Sequence, residues 1–230
     1  MHDKEVRKLT ELEDTHWWYA ERRHRLARSI AGMTPGRALD IGAAGGGNSR
    51  VLAREGWDVL ALEYGAEGAQ VGKERGLDVI RADATQLPLD RECVDLVVAY
   101  DVLEHIPDHD AAVREVHRIL RPDGTFLIAV PCDPRLWSAH DVAVDHVRRY
   151  TRGTLSELLL RNRFRIEELW SWNVLLRPTV ALRRRTSTGS DLEQLPRPVN
   201  LALKGVVTVE RYLPVKGLPG VTLMVTARPA

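Results

Sequence analysis

Apolar and polar positions fall into alternating blocks through the middle of the chain. Short runs of Val, Leu, Ile and Ala are separated by segments whose apolar residues recur at helical spacing. "RALDIG" (37–42) predicts a short apolar strand, and "NSRVLAREG" (48–56) a helix stopped by Gly56. "WDVLALE" (57–63) predicts a second strand, "EGAQVGKERG" (67–76) a second helix and "LDVIRAD" (77–83) a third strand. "VDLVVAYD" (94–101) is an unbroken apolar run, as expected of a strand buried on both faces. "DHDAAVREVHRIL" (108–120) predicts a helix capped by Asp108 or Asp110, "RPDG" (121–124) a turn, and "TFLIAVP" (125–131) a fifth strand. "TLSELLLRNRF" (154–164) predicts a helix with Thr151 or Thr154 as cap, followed by a strand at "RIEELWSW" (165–172) and a last one at "VTLMVTA" (221–227). Residues 4–31 read as helical, interrupted by the aromatic cluster "HWWY". Strands alternating with helices across short loops mean an α/β fold with a parallel sheet covered on both faces.

Composition narrows the class. The 230 residues are 44% hydrophobic and 28% charged, which suits one fairly large globular domain. The formal net charge of +1 does not point to a polyanion partner, so no nucleic acid is expected. Two cysteines, Cys93 and Cys132, are too few for a disulfide scaffold and suggest a reducing, cytoplasmic setting. The N-terminus is charged throughout and does not read as a secretory signal. No window has the apolar length of a membrane span. The nearest, "WNVLLRPTVALRRR" (172–185), is broken by Arg177 and Pro178 and reads first as a capping segment with a basic solvated end, peripheral membrane contact being the lesser alternative.

The chemistry concentrates behind the first strand, in "RALDIGAAGGGNS" (37–49). In a parallel sheet, ligands bind beyond the C-terminal ends of the strands, and glycines there permit tight turns and close approach to the main chain. Acids end four successive strands: Asp40, Glu63, Asp83 and Asp101. Glu63 is placed to accept hydrogen bonds from ribose hydroxyls, and Asp83 from an adenine amino group. Four carboxylates in series suggest a shared polar cleft suited to a positively charged ligand. The glycines do not fall as G-x-G-x-x-G, and a pyrophosphate would be repelled by so many acids, which argues against a dinucleotide.

The ordered set "LDIGAAGGG", "LEYG", "RADATQLPL", "DLVVAYDVLEHIPD" and "RILRPDGTFLIAVP" resembles the class I S-adenosylmethionine-dependent methyltransferases of the type 11/12 kind, over residues 37–131. The match departs from the family's acid-x-Gly-x-Gly-x-Gly loop at the middle glycine, which is Ala44 here. The resemblance implies a Rossmann-like, doubly wound, mostly parallel seven-stranded sheet with the last strand antiparallel. It implies S-adenosylmethionine as cofactor and S-adenosylhomocysteine as product. Asp40 and the loop of Gly42, Ala43, Ala44 and Gly46, with Asn48, would hold the methionine portion. Glu63 would take the ribose, Tyr64 would lie beside the adenine, and Asp83 with Ala84 would read its edge. Tyr100, Asp101 and His105 would line the sulfonium end. On this basis the chain divides into an N-terminal helical arm (1–34), a cofactor-binding core (35–131), an acceptor loop with helix and strand (132–172), a cap insertion (173–220) and a final strand (221–230).

The acceptor site is expected in "PCDPRLWSAHDVAVDHVRRYT" (131–151), a long polar loop after the fifth strand. It supplies Trp137, His140, Asp141, His146, Arg149 and Tyr150 as acceptor-binding candidates. An acceptor oxygen or nitrogen must lose a proton, which a histidine near neutral pKa can take; His140 is the first candidate base, His146 the second and His105 the third. His140, Asp141, Asp145 and His146 match no strong metal signature, so no metal is expected. Trp17, Trp18 and Tyr19, with Arg22 behind them, either anchor the packed arm or cover the acceptor. The function expected is methyl transfer to a small molecule, such as a natural product, a sugar or a lipid-linked intermediate, by a monomer or homodimer. A nucleic-acid methyltransferase and a non-catalytic cofactor-binding partner or sensor are the alternatives.

Overall fold

A computed structural model describes residues 7, 10–43, 45–186 and 194–230. Its seven-stranded sheet comprises β1 (Arg37–Ile41), β2 (Asp58–Glu63), β3 (Val79–Arg81), β4 (Val94–Tyr100), β5 (Leu120–Pro131), β6 (Phe164–Trp172) and β7 (Thr222–Pro229), in the order β3-β2-β1-β4-β5-β7-β6. The first five strands pair in parallel; β7 inserts antiparallel between β5 and β6. Strand order reverses between β1 and β4, so a crevice opens beyond their C-terminal ends.

Besides a helical stretch at 10–13, the helices among the described residues include α1 (Trp17–Ile30), α2 (Gly47–Arg54), α3 (Ala66–Glu74), α4 (His109–Ile119), α5 (Ala139–Ala143), α6 (Arg152–Arg161), α7 (Arg177–Thr186) and α8 (Arg197–Glu210). Both faces of the sheet are covered. Val97, Ala99, Phe126 and Ile128 pack one way, with Val113 and Val116 of α4 and Leu155 and Leu159 of α6. Leu96, Val98, Leu127 and Ala129 pack the other way, with Leu26 of α1, Leu52 of α2 and Val207 of α8. This two-sided burial is why β4 reads as a continuous apolar run rather than an alternating one.

Two expectations change. The aromatic cluster does not interrupt a helix; it begins one. The break falls at residues 14–16, where the His16 side chain accepts from the Trp18 N–H at 3.3 Å and caps α1. The "RPDG" segment is not a free turn either. It lies inside β5 as an irregularity: Val94 pairs with Leu120, and the next pair is Leu96 with Thr125. The extra residues bulge outward and Arg121 pairs with Asp95 at 2.5 Å, so the ladder resumes on both sides of the turn-forming residues. The caps resolve to Asp108 for α4 and Thr151 for α6.

Helix α8 is tied to the core by side chain to main chain bonds. Asn200 on α8 accepts from the Trp17 N–H at 2.9 Å and donates to the Thr15 carbonyl at 3.0 Å. Glu210, at the end of α8, accepts from Asn173 N at 2.8 Å and Leu175 N at 3.0 Å, securing the exit from β6.

Candidate active site

The loop between β1 and α2 is shaped by its glycines. Gly46 adopts φ 77°, a left-handed conformation that a side chain disfavours. Gly47 opens α2 and donates its N–H to Glu13 Oε1 at 2.8 Å; a Cβ at Gly47 would collide with that same carboxylate. Glu13 therefore seats its negative charge on the N-terminus of α2, where free N–H groups and the helix dipole favour an anion. This residue of the arm was not among the sequence candidates. Ala44 lies outside the described residues.

Beneath the loop, Asp40 is fully buried. Ser49 Oγ donates to its Oδ2 at 2.6 Å, while its Oδ1 has no hydrogen-bond partner. Burial pushes the Asp40 carboxyl up to about 7.

The other strand-ending acids differ in character. Glu63 is half-buried at the end of β2 and packs against Gly68. Asp83 is exposed and accepts from the N–H and hydroxyl of Thr85, each at 2.8 Å, closing a local turn over buried Ala84. Tyr64 is 74% exposed beyond β2. Asp101, at φ 53°, is already paired with Arg22. The Arg22 guanidinium also lies 5.1 Å from the ring centroid of Tyr100. Burial pushes the Tyr100 hydroxyl up to about 12.

A cavity of about 450 Å³ runs from the glycine loop to His140, Val144, His146 and Arg149 of the segment after β5. Of the expected cofactor residues, Gly42, Ala43, Asn48, Tyr100, Asp101 and His105 line it. Asp40 lies beneath the loop and Gly46 within it, neither lining the cavity, and Glu63, Tyr64, Asp83 and Ala84 stand outside the cavity at the ends of β2 and β3. The chemistry of these residues suits S-adenosylmethionine: a buried Asp40 carboxylate oxygen without a hydrogen-bond partner, an exposed Gly42 in the loop, and the Glu63 carboxylate at the β2 end.

The far end of the cavity holds His105, His140, His146 and Glu104. His140 sits on the first turn of α5, which Ser138 and Asp141 cap reciprocally. Its ring centroid is 6.1 Å from that of His146, and the His105 and His146 rings meet edge to face at 4.8 Å. Burial, with His146 alongside, lowers His105 to about 4. Glu104 is fully buried, and neither of its oxygens has a hydrogen-bond partner. Burial raises its carboxyl well above the usual range. Glu104 was passed over in the sequence although it stands beside His105 in "DVLEH".

Three acceptor candidates do not reach the cavity. Asp141 is fully buried behind it, with Oδ1 accepting from His146 Nδ1 and Arg149 Nε at 2.8 Å each and Oδ2 from Ser138 N at 2.9 Å. Burial alone would raise its carboxyl; the bonds from His146 and Arg149 hold it below the usual range instead. Tyr150 is sealed in the core, its hydroxyl donating to the Leu103 carbonyl at 3.1 Å and meeting His109 Nδ1 at 2.7 Å. Trp137 is 43% exposed on the outer surface. Arg149 lines the cavity, but its guanidinium is engaged by Asp141 and the Cys132 carbonyl. His140, Asp141, Asp145 and His146 do not converge as a metal-binding set, since Asp141 is committed to His146 and Arg149.

Trp17, Trp18, Tyr19 and Arg22 all line the cavity from the start of α1, with Trp18 packed 4.4 Å from the Trp172 ring. The cap adds Leu176 and Val180 from the α7 side and Leu195, Val199 and Leu203 from the α8 side, none of them singled out in the sequence. Among the described residues, no helix is long and apolar enough to cross a membrane.

Comparison with known proteins agrees with this geometry. The profile of a family described as "Methyltransferase domain" matches residues 39–128. A Mycolicibacterium smegmatis protein described as a probable S-adenosylmethionine-dependent methyltransferase is 30% identical over 173 residues, 70% of this chain and 65% of its own length. A ubiquinone biosynthesis O-methyltransferase from Escherichia coli is 27% identical over 196 residues, 76% of this chain and 79% of its own. Among solved structures, a SAM-dependent methyltransferase from Archaeoglobus fulgidus superposes with a TM-score of 0.65 at 16% identity, covering 91% of this chain and 93% of that one. One from Mesorhizobium loti gives 0.63 at 19% identity, covering 94% and 99%. With the motif order, the sheet and these relatives in agreement, residues 39–128 carry a methyltransferase domain, and the chain, which spans a little under two thirds of the length of the M. smegmatis protein, is similar to S-adenosylmethionine-dependent methyltransferases.

Proposed function

We propose that this chain transfers a methyl group from S-adenosylmethionine to an oxygen or nitrogen of a small-molecule acceptor with a substantial apolar body. One observation carries this reading: a single cavity joins the glycine loop to a polar histidine cluster, between apolar walls. Leu176, Val180, Val199 and Leu203 would hold the acceptor's apolar part, and Trp17 and Trp18 would close over it. Small-ligand sites are commonly apolar chambers with a few convergent polar groups.

The bound cofactor supplies an activated methyl group on its sulfonium. This chain's residues would do the rest. The loop of Gly42, Ala43 and Asn48 would fix the donor end, while Glu63 would take the ribose and Asp83 the adenine edge. The apolar walls would aim the acceptor atom along the line of displacement, and alignment of this kind removes much of the barrier. His140 would take the acceptor's proton as the new bond to carbon forms. The E. coli relative is named as a ubiquinone biosynthesis O-methyltransferase, and that name supports an oxygen acceptor on an apolar molecule.

The test is incubation of the full chain with methyl-labelled S-adenosylmethionine and a panel of hydroxylated and amine-bearing apolar compounds, with RNA and DNA in parallel. Label recovered in an organic-extractable product supports the reading. Label confined to nucleic acid, or no transfer by a protein that binds the cofactor, overturns it.

A further inference from the structure

We propose that Glu104, His105 and His146 form a binding site for a divalent transition-metal ion, open to the cavity. Each of the three offers one donor atom, and the donors lie within 4.8 Å of one another.

The surroundings are those of a built site. Glu104 is 0% exposed, yet both of its oxygens lack a hydrogen-bond partner. Burying a carboxylate in that condition is costly unless something cationic meets it. The Nε2 atom of His146 is 3.8 Å from Glu104 Oε1. The Nδ1 atom of His146 is bonded to the Asp141 carboxylate at 2.8 Å, and the Nδ1 atom of His105 faces the Asp145 carbonyl at 3.3 Å. In His146, one ring nitrogen on a carboxylate and the other turned to Glu104 is the arrangement that orients a metal-binding histidine. Asp141 is then explained: it positions a ligand. Asp145, at φ 59°, presents its carbonyl to His105 from a strained backbone.

Two imidazoles and one carboxylate favour Zn²⁺, Co²⁺, Fe²⁺ or Mn²⁺ over Mg²⁺ and Ca²⁺, which prefer all-oxygen shells. Three protein ligands leave coordination positions open, and all three ligand residues line the cavity. Resting on the methyl-transfer reading, the ion's role would be to bind the acceptor hydroxyl and lower its pKa, so that His140 removes the proton more easily.

The experiment uses the full chain, stripped with a chelator and dialysed, with neither cofactor nor acceptor present. Co²⁺ is titrated and followed by its visible absorption and by calorimetry. The expected result is saturable binding of about one ion per chain, displaced by Zn²⁺ and weakened roughly 10–100-fold in Glu104→Gln and in His146→Ala. His140→Gln, outside the ligand set, should bind Co²⁺ as the wild type does. If a ligand variant fails to fold, the wild type alone still decides: Zn²⁺ should raise the thermal midpoint of the stripped protein. No cobalt spectrum and no zinc-induced shift, or equal binding by folded Glu104→Gln, would overturn the site. Because no methyl transfer is read, that failure would leave the methyltransferase reading untouched.

Discussion

The Glu13 carboxylate caps the glycine loop from the arm, 2.8 Å from the Gly47 N–H, across 34 positions of sequence. Gly47 is small because Glu13 is there: a methyl group at 47 would displace that carboxylate. Gly47→Ala should therefore cost about 1–2 kcal/mol of stability in the wild type and distinctly less in a Glu13→Ala background. A double-mutant cycle by denaturant unfolding measures the coupling; strictly additive effects would mean that the two residues do not constrain each other.

Asp40 links stability to pH. Its folded-state value near 7 lies above the ordinary carboxylate value, so between about pH 4 and 7 the folded state holds a proton that the unfolded state has released. Its contribution is intact below the unfolded value and is lost as pH rises through 7. Asp40→Asn should remove that loss and make the apoprotein more stable at pH 8, by on the order of 2 kcal/mol. On the proposed function, the same substitution should also weaken S-adenosylmethionine binding, because it deletes a carboxylate beneath the glycine loop. Melting curves at pH 5 and pH 8, with and without cofactor, check both arms.

Asp110 behaves in the opposite sense. Arg161 and Asn162 bind it from α6 and hold its carboxyl at about 2. A depressed carboxylate contributes stability above its unfolded value near 4 and loses it as pH falls towards 2. The pair is partly exposed and screened, so Asp110→Asn should cost no more than about 1 kcal/mol at pH 7 and only a small fraction of that near pH 2. Denaturant unfolding across that range, at constant ionic strength, would show the two curves converging at low pH.

His140→Gln should lower kcat by roughly 10²–10⁴-fold while leaving cofactor affinity as it is. Parallel measurement of turnover and of calorimetric cofactor binding separates the two. Unchanged turnover would remove His140 from the proton-transfer role.

The sheet was readable from sequence because buried parallel strands write continuous apolar runs, as in "VDLVVAY", and the helices between them carry a different period. The "RPDG" segment misled for a local reason: its composition favours a turn, but pairing of Leu120 with Val94 before it and Thr125 with Leu96 after it folds those residues into a bulge. The site was harder. Trp137, Asp141 and Tyr150 are the residue types that sites use, yet Tyr150 is satisfied internally by Leu103 and His109 and Asp141 by His146 and Arg149. Glu13, Glu104 and the cap residues Leu176 and Leu203 carried no periodic signal. Their proximity to the cavity arises from how the arm, the turn after β4 and the cap pack together, which one-dimensional spacing does not encode.

The most direct test of the central claim is calorimetric titration of the wild type and of Glu63→Ala with S-adenosylmethionine and S-adenosylhomocysteine. The account predicts micromolar-range binding, about −8 kcal/mol, in the wild type and its collapse in the variant. A folded protein that binds neither ligand, or a variant that binds both as tightly as the wild type, would contradict it.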